Sequence, residues 1–179
     1  MLNSMMVSGW MVFVGTSAAA PNNPFRVEAT DAELAAGEST SVDVVLRVPK
    51  QHHLYRDMMA VLTEQISHKV SKIGAEWSVV PPGASCQIAV GSPSFPPGFI
   101  KPDPADPTST REQYDMDVIV QVPVTVPACA SGTYKVGFVV EYQGCKKSLC
   151  WMPQADRIES IVRIESVPAA AKTPNKGGQ

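Results

Sequence analysis

From Ser41 to Val48 apolar and polar positions alternate, with Val42, Val44, Leu46 and Val48 on one side and Ser41, Asp43, Val45 and Arg47 on the other. The same period returns from Asp117 to Val126, where Val118, Val120, Val122, Val124 and Val126 oppose Ile119, Gln121, Pro123 and Thr125. It returns again from Thr133 to Tyr142, with Tyr134, Val136, Phe138, Val140 and Tyr142 set against Lys135, Gly137, Val139 and Glu141. Arg157–Glu165 reads as a last strand, and shorter ones are expected at Phe25–Ala29, around Leu62–Ser67 and near Glu76–Val80. A period of two sends successive side chains to opposite faces of an extended chain, and the β-branched content suits a half-buried pleated surface. About seven short strands without an amphipathic helical stripe predict an all-β fold, an immunoglobulin-like antiparallel β-sandwich. Pro123 inside a strand predicts an edge or a bulge, because proline has no N–H to give the ladder.

Two stretches break the pattern. Pro81 to Thr110 holds eight prolines, with glycines at 83, 91 and 98, and reads as a long Pro-rich loop. Phe95, Phe99 and Ile100 make it too apolar for a plain linker, and long loops in compact domains are usually functional or disordered. The apolar run Met5–Val14 is too short for a bilayer, which needs roughly 20 residues. It suits the core of a secretory signal, and Ser17-Ala18-Ala19-Ala20 supplies small residues for cleavage, although no Lys or Arg precedes the run. The expected division is a signal peptide over 1–20, one β-sandwich domain over 21–167 and a disordered tail over 168–179. A buried first strand or helix is the alternative for the leading segment. Export places the domain where disulfides persist, and no cysteine sits at the cleavage point to carry a lipid.

Composition narrows the chemistry. Fifteen basic and seventeen acidic residues give a net charge of −2, so there is no basic excess to displace counterions from nucleic acid. No Ser-His-Asp set, phosphate loop or zinc-type Cys/His spacing occurs, and no cofactor is expected. His52, His53, Met58 and Met59 are copper-type donors, but adjacent strand residues face opposite ways, which argues against one shared ion.

The four cysteines carry more information. Cys145 and Cys150 flank four residues directly after a strand, so a four-residue hairpin loop would set them opposite one another, within disulfide reach. Closing so small a loop removes little unfolded-chain entropy, which favours a redox role over a structural staple. No helix signal follows the pair, so its thiols lack the dipole that activates thioredoxin-type cysteines. Lys146 and Lys147 either favour a thiolate electrostatically or are solvated loop residues. Four cysteines allow three full pairings. For Cys86 and Cys129 both a structural bond and free buried thiols stay open.

The run Tyr142-Gln143-Gly144-Cys145 … Cys150-Trp151-Met152-Pro153 resembles the Tyr-Gln-Gly-Cys … Cys-Tyr-Pro-Pro pattern of the periplasmic amino-terminal domains of DsbD, the thiol:disulfide interchange (disulfide bond corrector) family. His52-His53-Leu54-Tyr55-Arg56 is similar to the family's Tyr-Tyr-Leu-Tyr-Arg segment, and Glu112-Gln113-Tyr114 adds a weaker match. This chain departs from the pattern in a shorter intercysteine gap, in Trp151-Met152 and in His53. The resemblance implies a protein-disulfide reductase-type oxidoreductase in the periplasm. Its Cys145/Cys150 pair would take two electrons from a membrane-embedded transporter and pass them to thioredoxin-fold proteins such as disulfide isomerases or cytochrome c maturation factors. Because no membrane-spanning domain follows within the sequence, that transporter is expected as a separate protein. The resemblance assigns Cys150 as nucleophile and Cys145 as resolving thiol, and makes Pro81–Thr110 a long Pro-rich cap-like loop with Phe95 or Phe99 as its aromatic cap. His53, Tyr55 and Tyr142 are expected as neighbours of the dithiol, and Trp151 as a cover over the sulfurs. The alternative function is a non-catalytic extracellular protein-binding module whose close cysteine pair staples a hairpin.

Overall fold

The computed structural model describes residues 23–69, 77–103 and 106–165. The expected signal segment over 1–20, the tail over 168–179 and Glu76 lie outside them. The strands are, in chain order, β1 (Arg26–Ala29), β2 (Ala32–Ala35), β3 (Ser39–Arg47), β4 (His52–Tyr55), β5 (Ala60–Lys69), β6 (Ser78–Val79), β7 (Ala89–Val90), β8 (Phe99–Pro102), β9 (Thr110–Tyr114), β10 (Val118–Thr125), β11 (Gly132–Tyr142), β12 (Gly144–Lys146), β13 (Leu149–Cys150) and β14 (Gln154–Glu165). No α-helix forms among the described residues.

Two sheets make an immunoglobulin-like sandwich, one in the order β1-β3-β10-β7 and the other in the order β2-β14-β11-β5-β6. The alternation read in the sequence is what fills the space between them. Val42, Val44 and Leu46 of β3 and Val118, Val120, Val122 and Val124 of β10 are buried, and meet Tyr134, Val136, Phe138, Val140 and Tyr142 of β11 in one cluster. One pairing is parallel, β2 with β14, because the chain changes sheets between β1 and β2. That crossing is pinned to both layers. Thr30 bonds to Asp43 of β3 through its N–H and hydroxyl, while its carbonyl accepts from the buried Ser160 hydroxyl of β14 at 2.7 Å.

Pro123 lies within β10, between two neighbours, rather than on an outer edge. Its carbonyl accepts from Gly91 N–H, so its missing N–H faces the side where β7 has ended and the next bridge waits until Ser94–Gln121. Trp77 is partly exposed, with the ammonium groups of Lys69 and Lys135 over its ring. The proline-rich stretch is tied down by strand pairing at three places, β7 on β10, the Ser94–Gln121 bridge and β8 on β9, and by the Cys86–Cys129 bond.

A third sheet, in the order β13-β12-β4-β9-β8, assembles at one end of the sandwich. β4 follows β3, β9 leads into β10, β12 follows β11 after Gln143, and β13 leads into β14. Both main sheets therefore feed the third: β12 and β13, which carry the cysteine pair, continue from the sheet of β11 and β14, and their neighbours β4 and β9 adjoin that of β3 and β10. Cys86 and Cys129 are bonded to each other at the opposite end, beside the connection from β10 to β11.

Candidate functional site: a cross-strand disulfide at a sheet edge

Lys146 pairs with Leu149, so the β12–β13 hairpin turns through Lys147 and Ser148 alone, two residues rather than the four expected. Lys147 takes φ +55°, a left-handed conformation that glycine or asparagine normally supplies. Trp151 N–H donates to Gly144 O at 2.9 Å and extends the pairing beyond the cysteines. Between those contacts Cys145 and Cys150 face each other, bonded, with Cα atoms 4.0 Å apart. That separation belongs to the short, non-hydrogen-bonded class of antiparallel pairs. Consequently the N–H and C=O of Cys145 point toward β4, and those of Cys150 point out of the sheet at its edge.

The two cysteines differ in access. Cys145 is 0% exposed, whereas Cys150 is exposed and flanked by Leu149 and Met152, at 73% and 78% exposure. Both members of the Cys86–Cys129 bond are exposed, and that bond shows no such asymmetry.

Register then defines the face that the sulfurs share. Cys145 opposes His53 on β4, Tyr55 opposes Gln113 on β9, and Gln113 opposes Phe99 on β8. Opposed residues point the same way, so Cys150, Cys145, His53, Tyr55 and Phe99 lie on one face. The His53 and Tyr55 rings meet edge-on at 5.0 Å. Tyr55 donates to Asp103 at 3.3 Å, and the Arg111 guanidinium lies 3.8 Å over its ring while pairing with Asp57. Lys101 pairs with Asp115 and lies 5.4 Å from the Phe99 ring. Burial, assisted by the Lys101 charge, lowers the His53 pKa below its ordinary 6.5. Burial, with the Asp103 charge next, raises that of Tyr55.

The opposite face is an aromatic support. A Cβ on Gly144 would lie 2.0 Å from Phe25, whose ring contacts His52, Tyr142 and Trp151. The Trp151 ring lies tilted against His52, with centroids 5.3 Å apart. It does not cover the sulfurs, because the residue after Cys150 points to the other side. His52 and His53 are likewise on opposite faces. Tyr142, fully buried, donates to Asp156 and accepts from Asn23, each at 2.8 Å, and burial drives its pKa far above the tyrosine range.

The structure thus brings Cys145, Cys150, His53 and Tyr55 together, sets Phe99 three strands along the same face, and makes Tyr142 and Trp151 supports. At ~4.8 Å per strand, Phe99 is about 15 Å from Cys145. Phe95 is elsewhere, part-buried against the core under the Arg56 guanidinium at 3.8 Å. Sequence reasoning did not find Phe25, Lys101, Asp103, Arg111 or Asp115. Their part depends on cross-strand register between segments far apart in the chain. The sequence marks Gly144 only as part of the Tyr-Gln-Gly-Cys run.

Comparison with known proteins adds the family. A family model described as "Thiol:disulfide interchange protein DsbD, N-terminal" matches residues 20–161. Solved structures that the chain resembles include the DsbD N-terminal domain of Neisseria meningitidis in its reduced form, at 20% identity and a TM-score of 0.46 over 79% of this chain and 88% of that one. The complex between the DsbD and PilB N-terminal domains from Neisseria meningitidis matches at 19% identity and 0.45, over 80% and 87%. A PapD-like domain of human CEP192 matches at 14% identity and 0.43, over 93% and 100%. No curated protein sequence matches the chain significantly. The family match runs from before β1 into β14 and includes the Tyr-Gln-Gly-Cys hairpin with both sulfurs, and the chain belongs to the DsbD amino-terminal domain family.

Proposed function

We propose that this domain carries two electrons as the Cys145/Cys150 dithiol–disulfide couple, from a membrane-embedded transporter to thioredoxin-fold acceptors in the periplasm, after export on the segment over 1–20. Family membership supports exchange as the chemistry. The single observation that carries the assignment of roles is the asymmetry of the pair, Cys150 exposed and Cys145 at 0% exposure.

In the reduced domain the Cys150 thiolate attacks one sulfur of an acceptor disulfide, forming a mixed disulfide and releasing the other acceptor sulfur as a thiolate that takes up a proton. Cys145, deprotonated, then attacks Cys150 Sγ, closes the bond seen here and expels the first acceptor sulfur. Two electrons and two protons leave the domain, and the acceptor becomes a dithiol. The transporter's dithiol reverses the sequence, entering at Cys150. The outward-pointing main chain of Cys150, with Leu149 and Met152 beside it, offers an edge against which a partner segment docks. Of the two aromatic cap candidates, Phe99 is the one on the dithiol face, and the proposed shield is the Phe99–Lys101 segment swung toward the sulfurs.

Trapping tests the roles. Cys145→Ser should accumulate a mixed disulfide with a thioredoxin-fold acceptor through Cys150, and Cys150→Ser should accumulate none while the fold persists. Trapping through Cys145 instead, or normal acceptor reduction by Cys150→Ser, would overturn the assignment.

A further inference from the structure

We infer that His53 is the base that takes the proton from the Cys145 thiol when that residue closes the disulfide. The inference rests on the exchange reading above and deepens it. Closing the bond requires a Cys145 thiolate, yet Cys145 is 0% exposed, so water is not positioned to take its proton. An acceptor must come from the protein. Ladder alternation makes Cys145 and His53 a hydrogen-bonded pair of β12 and β4, with side chains on the same face.

His53 is itself only 8% exposed, and its Nε2 has no hydrogen-bond partner. A buried, unpartnered ring nitrogen is a cost to the fold, and such atoms call for an explanation. With the other ring nitrogen protonated, Nε2 offers a lone pair beside the one buried thiol of the exchange couple. The charged and titratable groups around the imidazole are Lys101 and Asp103 from the β8 segment, Asp115 after β9, and Tyr55 on its own strand, with His52 adjacent but facing away. Burial and Lys101 outweigh the two carboxylates and keep the ring neutral, hence able to accept, through neutral pH.

The proton balance is complete. His53 Nε2 takes the Cys145 proton as Cys145 Sγ bonds to Cys150 Sγ, the departing partner sulfur leaves as a thiolate, and the imidazolium passes its proton to solvent. In the reverse direction the imidazolium returns a proton to the Cys145 sulfur as it is expelled.

The small aromatic disulfide dithiobis(nitrobenzoate) separates the two steps in the reduced domain. Attack by Cys150 releases one coloured thiolate, and resolution by Cys145 releases a second. In His53→Phe, the first release should stay within about twofold of wild type at pH 7 while the second slows by about tenfold or more. The slow release should then climb with hydroxide, about tenfold per pH unit, where wild type is level above pH 6.5. His53→Gln, which keeps a polar side chain without a titrating base, should behave as His53→Phe. A second release at the wild-type rate in either variant, or equal slowing of both releases, overturns the role of His53. Failure of wild type to give a second release sinks the exchange reading itself, with this proposal.

Discussion

Breaking one disulfide at a time should cost the domain two different amounts. The Cys86–Cys129 bond spans 43 positions and Cys145–Cys150 spans 5. The chain-entropy relation, 2.1 + 1.5R ln n cal/mol/K, gives about 4 kcal/mol for the first bond and about 2 kcal/mol for the second at 25 °C. Cys129→Ala and Cys150→Ala each change an exposed residue, so neither truncates the core. Against a total stability of ~5–15 kcal/mol, the loss of about 2 leaves the sandwich folded, whereas the loss of about 4 removes a large share. Urea unfolding under reducing and oxidising conditions measures both, with the slope checked for a more expanded unfolded state. Equal costs for the two variants, or unfolding of the domain on opening Cys145–Cys150, would refute the reasoning that this bond is the cheaper of the two and opens with the scaffold still folded.

Gly144→Ala should push Phe25 out of its place, since the new Cβ would lie 2.0 Å from the ring, and cost ~1–3 kcal/mol with a change in Trp151 fluorescence. Unchanged stability and emission would show that the aromatic support does not hold the hairpin. Tyr142→Phe removes the hydroxyl that joins Asn23 to Asp156 and should destabilise by ~1–2 kcal/mol in the same assay. Acidification should weaken the fold below pH 6.5, because burial lowers the His53 pKa and the unfolded chain then binds a proton that the native state refuses. The slope, up to ~1.4 kcal/mol per pH unit, ends at the lowered value and should vanish in His53→Phe. Asp115 and Asp117, held down by hydrogen bonds from Lys101 and Arg47, act only nearer and below pH 3.8, so the two windows separate.

What was legible in the sequence was what obeys a short period. β3, β10 and β11 stand within two residues of the expected bounds because Val42 to Leu46, Val118 to Val124 and Tyr134 to Tyr142 alternate against a single core. β4, β9 and β12 are three to five residues long and show no alternation of their own, since the third sheet is buried on both faces at Leu54, Tyr114 and His53. β8 ends on Pro102, inside the proline-rich stretch, where proline content masks a strand signal. The cysteine pair was legible from spacing and motif. Its tighter turn was not, because Lys147 holds a left-handed conformation with no glycine or asparagine to signal it. The unpartnered nitrogen of His53, and the Lys101–Asp115 and Arg111–Asp57 pairs near it, follow only from tertiary register.

The reduction potential of the Cys145/Cys150 couple, read by equilibrating the domain with thiol–disulfide buffers and counting free thiols, tests the central claim most directly. An electron carrier should titrate well above about −300 mV, within reach of thioredoxin-fold partners. A value below that would mark the bond as a permanent staple and contradict the account.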